Sequence, residues 1–183
     1  MEKLILIVGM AGSGKSFAAD LFAKKLHTKV FRTGDVIREE IKRRKLEYNK
    51  ENDAKIAHWF HTQGREKLII KRTWYKIEKY NKKTVIIEGC RAPEELTLLK
   101  KYSKVNPIII AIKADFNTRM KRTMERKRFG KSEGKAYLKS RDKLELSHGI
   151  GKVIKKASYT IDNSRLSKRQ MEKKIAKLTK GLK

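Results

Sequence analysis

The chain has 183 residues, 48 Lys and Arg against 20 Asp and Glu, and a formal net charge of +28. That length suits one domain with a full core and room for a small inserted lobe. The charge favours anionic partners (nucleotides, RNA or an anionic membrane), the single cysteine excludes a disulfide framework and fits a reducing cytosol, and no apolar stretch approaches a membrane span.

"LILIV", Leu4 to Val8, reads as a fully buried parallel strand. It is too short for a signal-peptide core and runs into "GMAGSGKS", Gly9 to Ser16. Those residues fit G-x-x-x-x-G-K-[ST], the P-loop pattern. A triphosphate needs backbone N–H groups at close range, and Gly9, Gly12 and Gly14 remove the side chains that would block it. A helix starting near Lys15 adds its N-terminal amides. Lys15 would reach the β- and γ-phosphates of ATP, and the Ser16 hydroxyl would hold Mg²⁺. Met10, Ala11 and Ser13 complete the expected ATP-binding set. "KSFAADLFAKKLH" continues as that helix, with Phe17 and Leu21 or Phe22 and Leu26 at helical spacing.

"KVFRTGD" reads as a short strand ending in a turn at Thr33-Gly34-Asp35, followed by a helix over "VIREEIKRRK". Leu46 to Lys83 is mostly helical, with a break at Gln63-Gly64. "TVIIEG" (Thr84 to Gly89) is a third strand, Pro93 opens a helix, and "PIIIAIKA" (Pro107 to Ala114) is a fourth strand. A basic helix follows Asp115, another spans Ala136 to Leu146, "YTIDN" (Tyr159 to Asn163) is a fifth strand, and Ser167 with Gln170 suits a capping box on the last helix. Alternating strands and helices imply a parallel sheet covered on both faces, with ligands at the carboxyl ends of its strands.

The remaining motifs fall at those ends. In "TGDVIR", Arg38 can grip a phosphate bidentately, and Asp35 can cap the helix or orient a water on Mg²⁺. In "IIEGCR", Glu88 ends a buried strand beside the P-loop, the Walker-B position that holds Mg²⁺ through water. Gly89 would let a second ligand approach the backbone, and Arg91 adds a fork for its phosphate. Arg119, Arg122 and Arg126 share a helix face, and Arg128 and Arg141 flank a Gly-containing segment. Closing arginines stabilise charge in phosphoryl transfer, and a basic lid excludes water.

P-loop, "TGDVIR", "EGCR" and an arginine-rich lid, in that order, resemble nucleoside monophosphate kinases of the adenylate kinase type. Over nearly its full length the chain is more similar to a poorly characterised archaeal family of adenylate-kinase-related proteins, on "GMAGSGKS", "GDVIRE", "EGCRAPEE" and "RDKLELSHGIGKVIKKASYTIDN". The resemblance implies an α/β P-loop fold with five parallel strands in one domain over 1–183, a helical acceptor lobe over 36–82 and a lid region over 119–147. It implies ATP at Gly9 to Ser16 with Arg119 and Arg122 nearby. Thr33, Gly34, Asp35, Arg38, Gly89 and Arg91 would face the acceptor nucleotide. Lys15, Arg91, Arg128 and Arg141 would be catalytic, and Ser16, Asp35 and Glu88 would serve Mg²⁺. Adenylate kinases usually show Asp-Gly-Phe-Pro-Arg where this chain has the one-residue-shorter Glu88-Gly89-Cys90-Arg91.

The expected function is cytoplasmic ATP-dependent phosphoryl transfer to a nucleoside monophosphate, with AMP as acceptor and Mg²⁺ as cofactor. Alternative expectations are a kinase for another phosphorylated acceptor of the dephospho-coenzyme A type, and an RNA- or ribosome-associated ATPase that uses the positive charge. His58 and His61 sit at i, i+3 without a visible third ligand. Trp59 and Phe60 suit lobe core or pocket wall. Cys90 has two readings: a thiol activated by Arg91, or a small residue filling a tight turn.

Overall fold

The computed structural model describes residues 1–63, 65–126 and 134–182. Five strands form one sheet in the order β2-β3-β1-β4-β5, and every pairing is parallel. They are β1 (Lys3–Val8), β2 (Val30–Arg32), β3 (Thr84–Glu88), β4 (Ile108–Lys113) and β5 (Tyr159–Asp162). The connecting helices are α1 (Lys15–Leu26), α2 (Thr33–Arg43), α3 (Lys50–Phe60), α4 (Glu66–Glu78), α5 (Pro93–Ser103), α6 (Phe116–Arg126), α7 (Lys135–Ser147), α8 (Ile150–Lys155) and α9 (Lys168–Lys180). This is the α/β P-loop architecture expected from the alternation of elements. Among the described residues no helix is long and apolar enough to cross a membrane.

The run Leu4 to Val8 lacks polar alternation because β1 is covered on both faces. Leu4, Leu6 and Val8 pack with Ile70, Leu96 and Val153, from α4, α5 and α8. Ile5 and Ile7 point the other way, onto Ala18, Phe22 and Met171, from α1 and α9. The face of α1 differs from the spacing reading. Ala18, Ala19, Phe22 and Ala23 are its buried residues, while Phe17 is exposed. Small alanines let the helix lie close to the sheet, which favours them over the bulkier Phe17.

A second difference concerns Thr33-Gly34-Asp35. These residues form the first turn of α2 rather than a separate turn. Arg32 is the extended residue before the helix, and Asp35 places a negative charge near the positive end of the helix dipole. At the other helix ends the local signals hold. Ser167 Oγ accepts from Gln170 N at 3.2 Å and Gln170 Oε1 accepts from Ser167 N at 2.9 Å. Glu95 Oε2 accepts from Arg91 N (2.6 Å) and Ala92 N (3.3 Å), at the start of α5.

Helices α2, α3 and α4 carry a separate small core of Val36, Ile37, Ile41, Ile56, Phe60 and Ile69, with Trp59 packed against it. Glu40 ties this group together. Its side chain is fully buried and accepts from Arg43 Nη2 (2.6 Å), Arg44 Nε (2.7 Å) and Arg72 Nη1 (2.8 Å), linking α2 to α4. Those arginines, Arg43 first, hold the carboxyl far below its ordinary 4.5 against the opposing effect of burial. A depressed carboxyl contributes stability that is complete above about pH 4.5 and is lost as the pH falls through the folded-state value. Glu40→Gln is expected to cost about 2 kcal/mol at pH 7 and to flatten the acid limb of the stability profile. Denaturant unfolding of both proteins between pH 3 and 7 checks both outcomes, and parallel profiles would refute the assignment.

Candidate functional site

The strand register brings the motifs together. Ile7 pairs with Glu88, Arg32 pairs with Glu88, and Val8 pairs with Ala111. The carboxyl ends of β1, β2 and β3 therefore meet where β1 hands over to the P-loop. This is the crevice in which open parallel sheets bind ligands.

The P-loop is braced from behind. Gly12 (φ 78°) and Gly14 (φ 92°) adopt left-handed conformations. A Cβ on Gly12 would lie 2.7 Å from the Arg119 carbonyl oxygen, and one on Gly14 would lie 2.4 Å from Asn163 Nδ2. The loop's own scaffold thus requires both glycines, in addition to any approaching phosphate. Arg119 Nη1 donates to the Ala11 carbonyl at 3.1 Å. Asn163 Nδ2 donates to the Ser13 carbonyl at 2.8 Å, and Arg122 donates to the carbonyls of Ser13 (3.4 Å) and Asn163 (2.9 Å). In a trans peptide the N–H points opposite to the C=O. Holding these carbonyls back turns the amides toward the cleft. Arg119 is itself fixed by a bidentate pair with Asp142, at 2.8 and 2.6 Å. The guanidinium groups of Arg119 and Arg122 therefore lie on P-loop carbonyls.

Lys15 is partly buried, and its Nζ donates to the Met10 carbonyl at 3.4 Å. Desolvation pulls its ammonium below the ordinary lysine range, with Glu145 and Glu88 opposing. Ser16 Oγ donates to Glu88 Oε1 at 3.2 Å, and Arg32 Nε lies 3.2 Å from Glu88 Oε2. Ser16 and Glu88 thus share a site, a hydroxyl and a carboxylate that suit a hard cation beside phosphate oxygens. Asp35 is ion-paired with Arg38 on the same helix turn.

The cleft extends over about 820 Å³. Ala11, Lys15 and Ser16 of the P-loop and Gly34, Ile37 and Arg38 of α2 all line it. Thr33 is buried and donates from Oγ1 to the Gly89 carbonyl at 3.0 Å. Gly89 is left-handed (φ 104°), and a Cβ there would lie 2.6 Å from Thr33 Oγ1. Thr33 thus occupies the place a Cβ would take, which keeps this position glycine, and Gly89 lines the cleft. Arg91 Nη1 donates to Thr33 Oγ1 at 3.5 Å. Cys90 is buried in the main core, and burial pushes its thiol well above the ordinary range despite Arg91. The small-residue reading holds and the activated thiol does not. Arg128 lies outside the described residues.

Helix α7 closes the cleft. Arg141 Nη1 donates to Tyr137 Oη at 2.9 Å and lies 3.7 Å from Asp53 Oδ2 on α3. Its Nε lies 3.4 Å from Glu145 Oε1, while Arg91 Nε lies 3.6 Å from the same oxygen. The Ala11 amide donates to Glu145 Oε2 at 3.2 Å. Burial alone would raise the Glu145 carboxyl, but Lys15, Arg91, Arg141 and the Ala11 N–H outweigh it and hold the group at about 2. Beside them His61 stacks on His148 with ring centroids 4.0 Å apart. Burial, with His148 and Arg91, lowers His61 to about 3, so it is neutral near pH 7. Among the described residues no group of three His, Cys, Asp or Glu side chains is arranged to hold a metal ion.

Glu145, Asp142, Asn163 and Arg32 escaped sequence reasoning. A signal for three of them existed. Asp142 and Glu145 are acids at i, i+3 in a lysine-rich helix, and Asn163 follows directly on a strand's carboxyl end.

The AAA domain family matches residues 8–136 of the chain. A UPF0200 protein of Hyperthermus butylicus is 32% identical over 98% of this chain and 94% of its own length. One of Methanococcus vannielii is 39% identical over 88% of this chain and 86% of its own. Among solved structures, a shikimate kinase from Acinetobacter baumannii superposes with a TM-score of 0.60 at 19% identity, over 99% of this chain and 94% of that one. Its similarity is one of fold. With its P-loop, its all-parallel sheet and these relatives over most of its length, the chain belongs to the archaeal UPF0200 family and has the AAA-type P-loop fold.

Proposed function

We propose that the protein is an ATP-dependent phosphotransferase that moves the γ-phosphate to a nucleoside monophosphate, AMP first among them. One observation carries the reading: the P-loop and the arginine-bearing start of α2 line a single cleft. The P-loop amides and Lys15 would hold the β- and γ-phosphates. Arg38 would grip the acceptor's phosphate beside Gly34, with Ile37, Ala54 and Ala57 as apolar wall for a flat base. Residues 36–82 would form the acceptor lobe and 119–147 the lid region.

An acceptor phosphate oxygen attacks the γ-phosphorus in line, and the bond from that phosphorus to the bridging oxygen breaks as ADP leaves. The attacking oxygen is already anionic, so no general base is required. Arg91 and Arg141 would stabilise the charge on the moving group. Ser16, and Glu88 through water, would hold Mg²⁺, which when bound supplies charge neutralisation between the β- and γ-phosphates. A second reading, an RNA-stimulated ATPase, draws on the net charge of +28.

ADP formation from Mg-ATP, measured with each nucleoside monophosphate, dephospho-coenzyme A, total RNA or no acceptor, separates these readings. Turnover with AMP is expected, and Lys15→Ala should lower it by at least about 10²-fold. Turnover with RNA alone, or equal turnover with no acceptor, would transfer the function to the ATPase class. Arg38→Ala should raise the acceptor KM about tenfold with the ATP KM unchanged, since it removes a charge-assisted fork from one substrate only. Asn163→Ala should do the reverse, raising the ATP KM several-fold by loosening the Ser13 peptide, and steady-state kinetics on both substrates read the contrast.

A further inference from the structure

Glu145 is a buried carboxylate with no role in the transfer just described. Its surroundings are those of a phosphate group. It accepts from a P-loop amide, Ala11 N, at 3.2 Å. Arg91 Nε and Arg141 Nε reach its Oε1 at 3.6 and 3.4 Å, and the charge of Lys15 attracts it as well. An anion-binding loop, its lysine and two arginines thus converge on one side-chain anion.

The grip on Ala11 is two-sided. Glu145 takes the N–H from the cleft, and Arg119, held by Asp142, takes the C=O from behind. Both acids stand on α7, one helical turn apart. The rear brace involves neither Glu145 nor the cleft. Removing Glu145 from the loop would therefore leave the carbonyl brace in place and release the amide and the charge of Lys15, Arg91 and Arg141 from this carboxylate.

We propose that Glu145 is an internal substitute for a phosphate group: its carboxylate holds the P-loop site, and an incoming phosphate displaces it and takes over its partners. Glu145 thereby determines nucleotide affinity. A phosphate brings more charge and more acceptor oxygens than one carboxylate, so it wins the exchange, at an affinity lowered by the competition. The proposal rests on the P-loop as the phosphate site and is independent of the acceptor.

Pyrophosphate is the probe, because it needs neither an adenine pocket nor turnover. Calorimetric titration of the full chain should show pyrophosphate bound about tenfold or more tightly by Glu145→Gln and Glu145→Ala than by wild type. Lys15→Ala should abolish the binding, which locates the probe in the loop. Both variants should melt lower than wild type without pyrophosphate and gain more from it. Should the variants fail to fold, the wild-type chain still decides: the side-chain carboxyl ¹³C resonance of Glu145 is expected to shift on saturation with pyrophosphate. Unchanged or weaker binding by folded variants, or an unmoved Glu145 resonance, would overturn the proposal. An inactive acceptor panel would count against the kinase reading alone, since pyrophosphate binding does not depend on transfer.

Discussion

The peptide groups of the P-loop can present their N–H groups to a ligand only if their carbonyls are held away from it. That constraint organises the molecule. A flexible glycine loop loses much conformational entropy on ordering, and something must compensate. Here the compensation comes from elements distant in sequence: Arg119 and Arg122 on α6, Asp142 on α7 and Asn163 after β5. The sheet order β2-β3-β1-β4-β5 is what brings them there, since β4 leads into α6 and β5 ends beside it. The loop, the strand ends and α7 are thus one connected structure.

The same arrangement accounts for the fate of the arginines. A basic helix suggests charges that reach out to a ligand. Arg119 and Arg122 instead reach back, and their charge acts on the nucleotide site through the backbone they orient. Arg91 and Arg141 are two of the cations that line the cleft, and both meet Glu145 there. In a low-dielectric site such groups are costly to leave unpaired. A carboxylate within reach satisfies them, and a phosphate can take its place. Two acids on one helix, Asp142 and Glu145, thus divide the work between the two peptide groups that flank Ala11, one through Arg119 on the carbonyl and one directly on the amide.

The helices that carry Gly34 and Arg38 are organised by different chemistry. Helices α2, α3 and α4 share a small apolar core and the buried Glu40 cluster. Helix α4 belongs to both cores, giving Ile69 to the lobe and Ile70 and Trp74 to the sheet. A lobe joined to the body through a shared helix keeps Arg38 and Gly34 in one cleft with the P-loop.

Local signals in the sequence determined a good deal of this. The fully apolar "LILIV" strand, the glycine spacing of the P-loop, Pro93 at a helix start and the Ser167–Gln170 cap each depend on residues within a few positions of one another, and each stands as read. The pairing of Ser16 with Glu88 was also legible, because a buried strand's last acid lands beside the P-loop in any sheet of this kind. What the sequence could not decide was partner choice among many like charges. With 48 basic residues, nothing local says which ones turn inward. Asp35 pairs with Arg38, Thr33 bonds to the Gly89 carbonyl, and burial overrode the charge beside Cys90. Glu145 met the Ala11 amide across 134 positions of chain, and only the packing of α7 beside α6, α8 and the P-loop made that meeting possible. Short-range chemistry wrote the motifs, and tertiary packing chose which of their charges would face each other, because an ion pair is decided by distance in space and not along the chain.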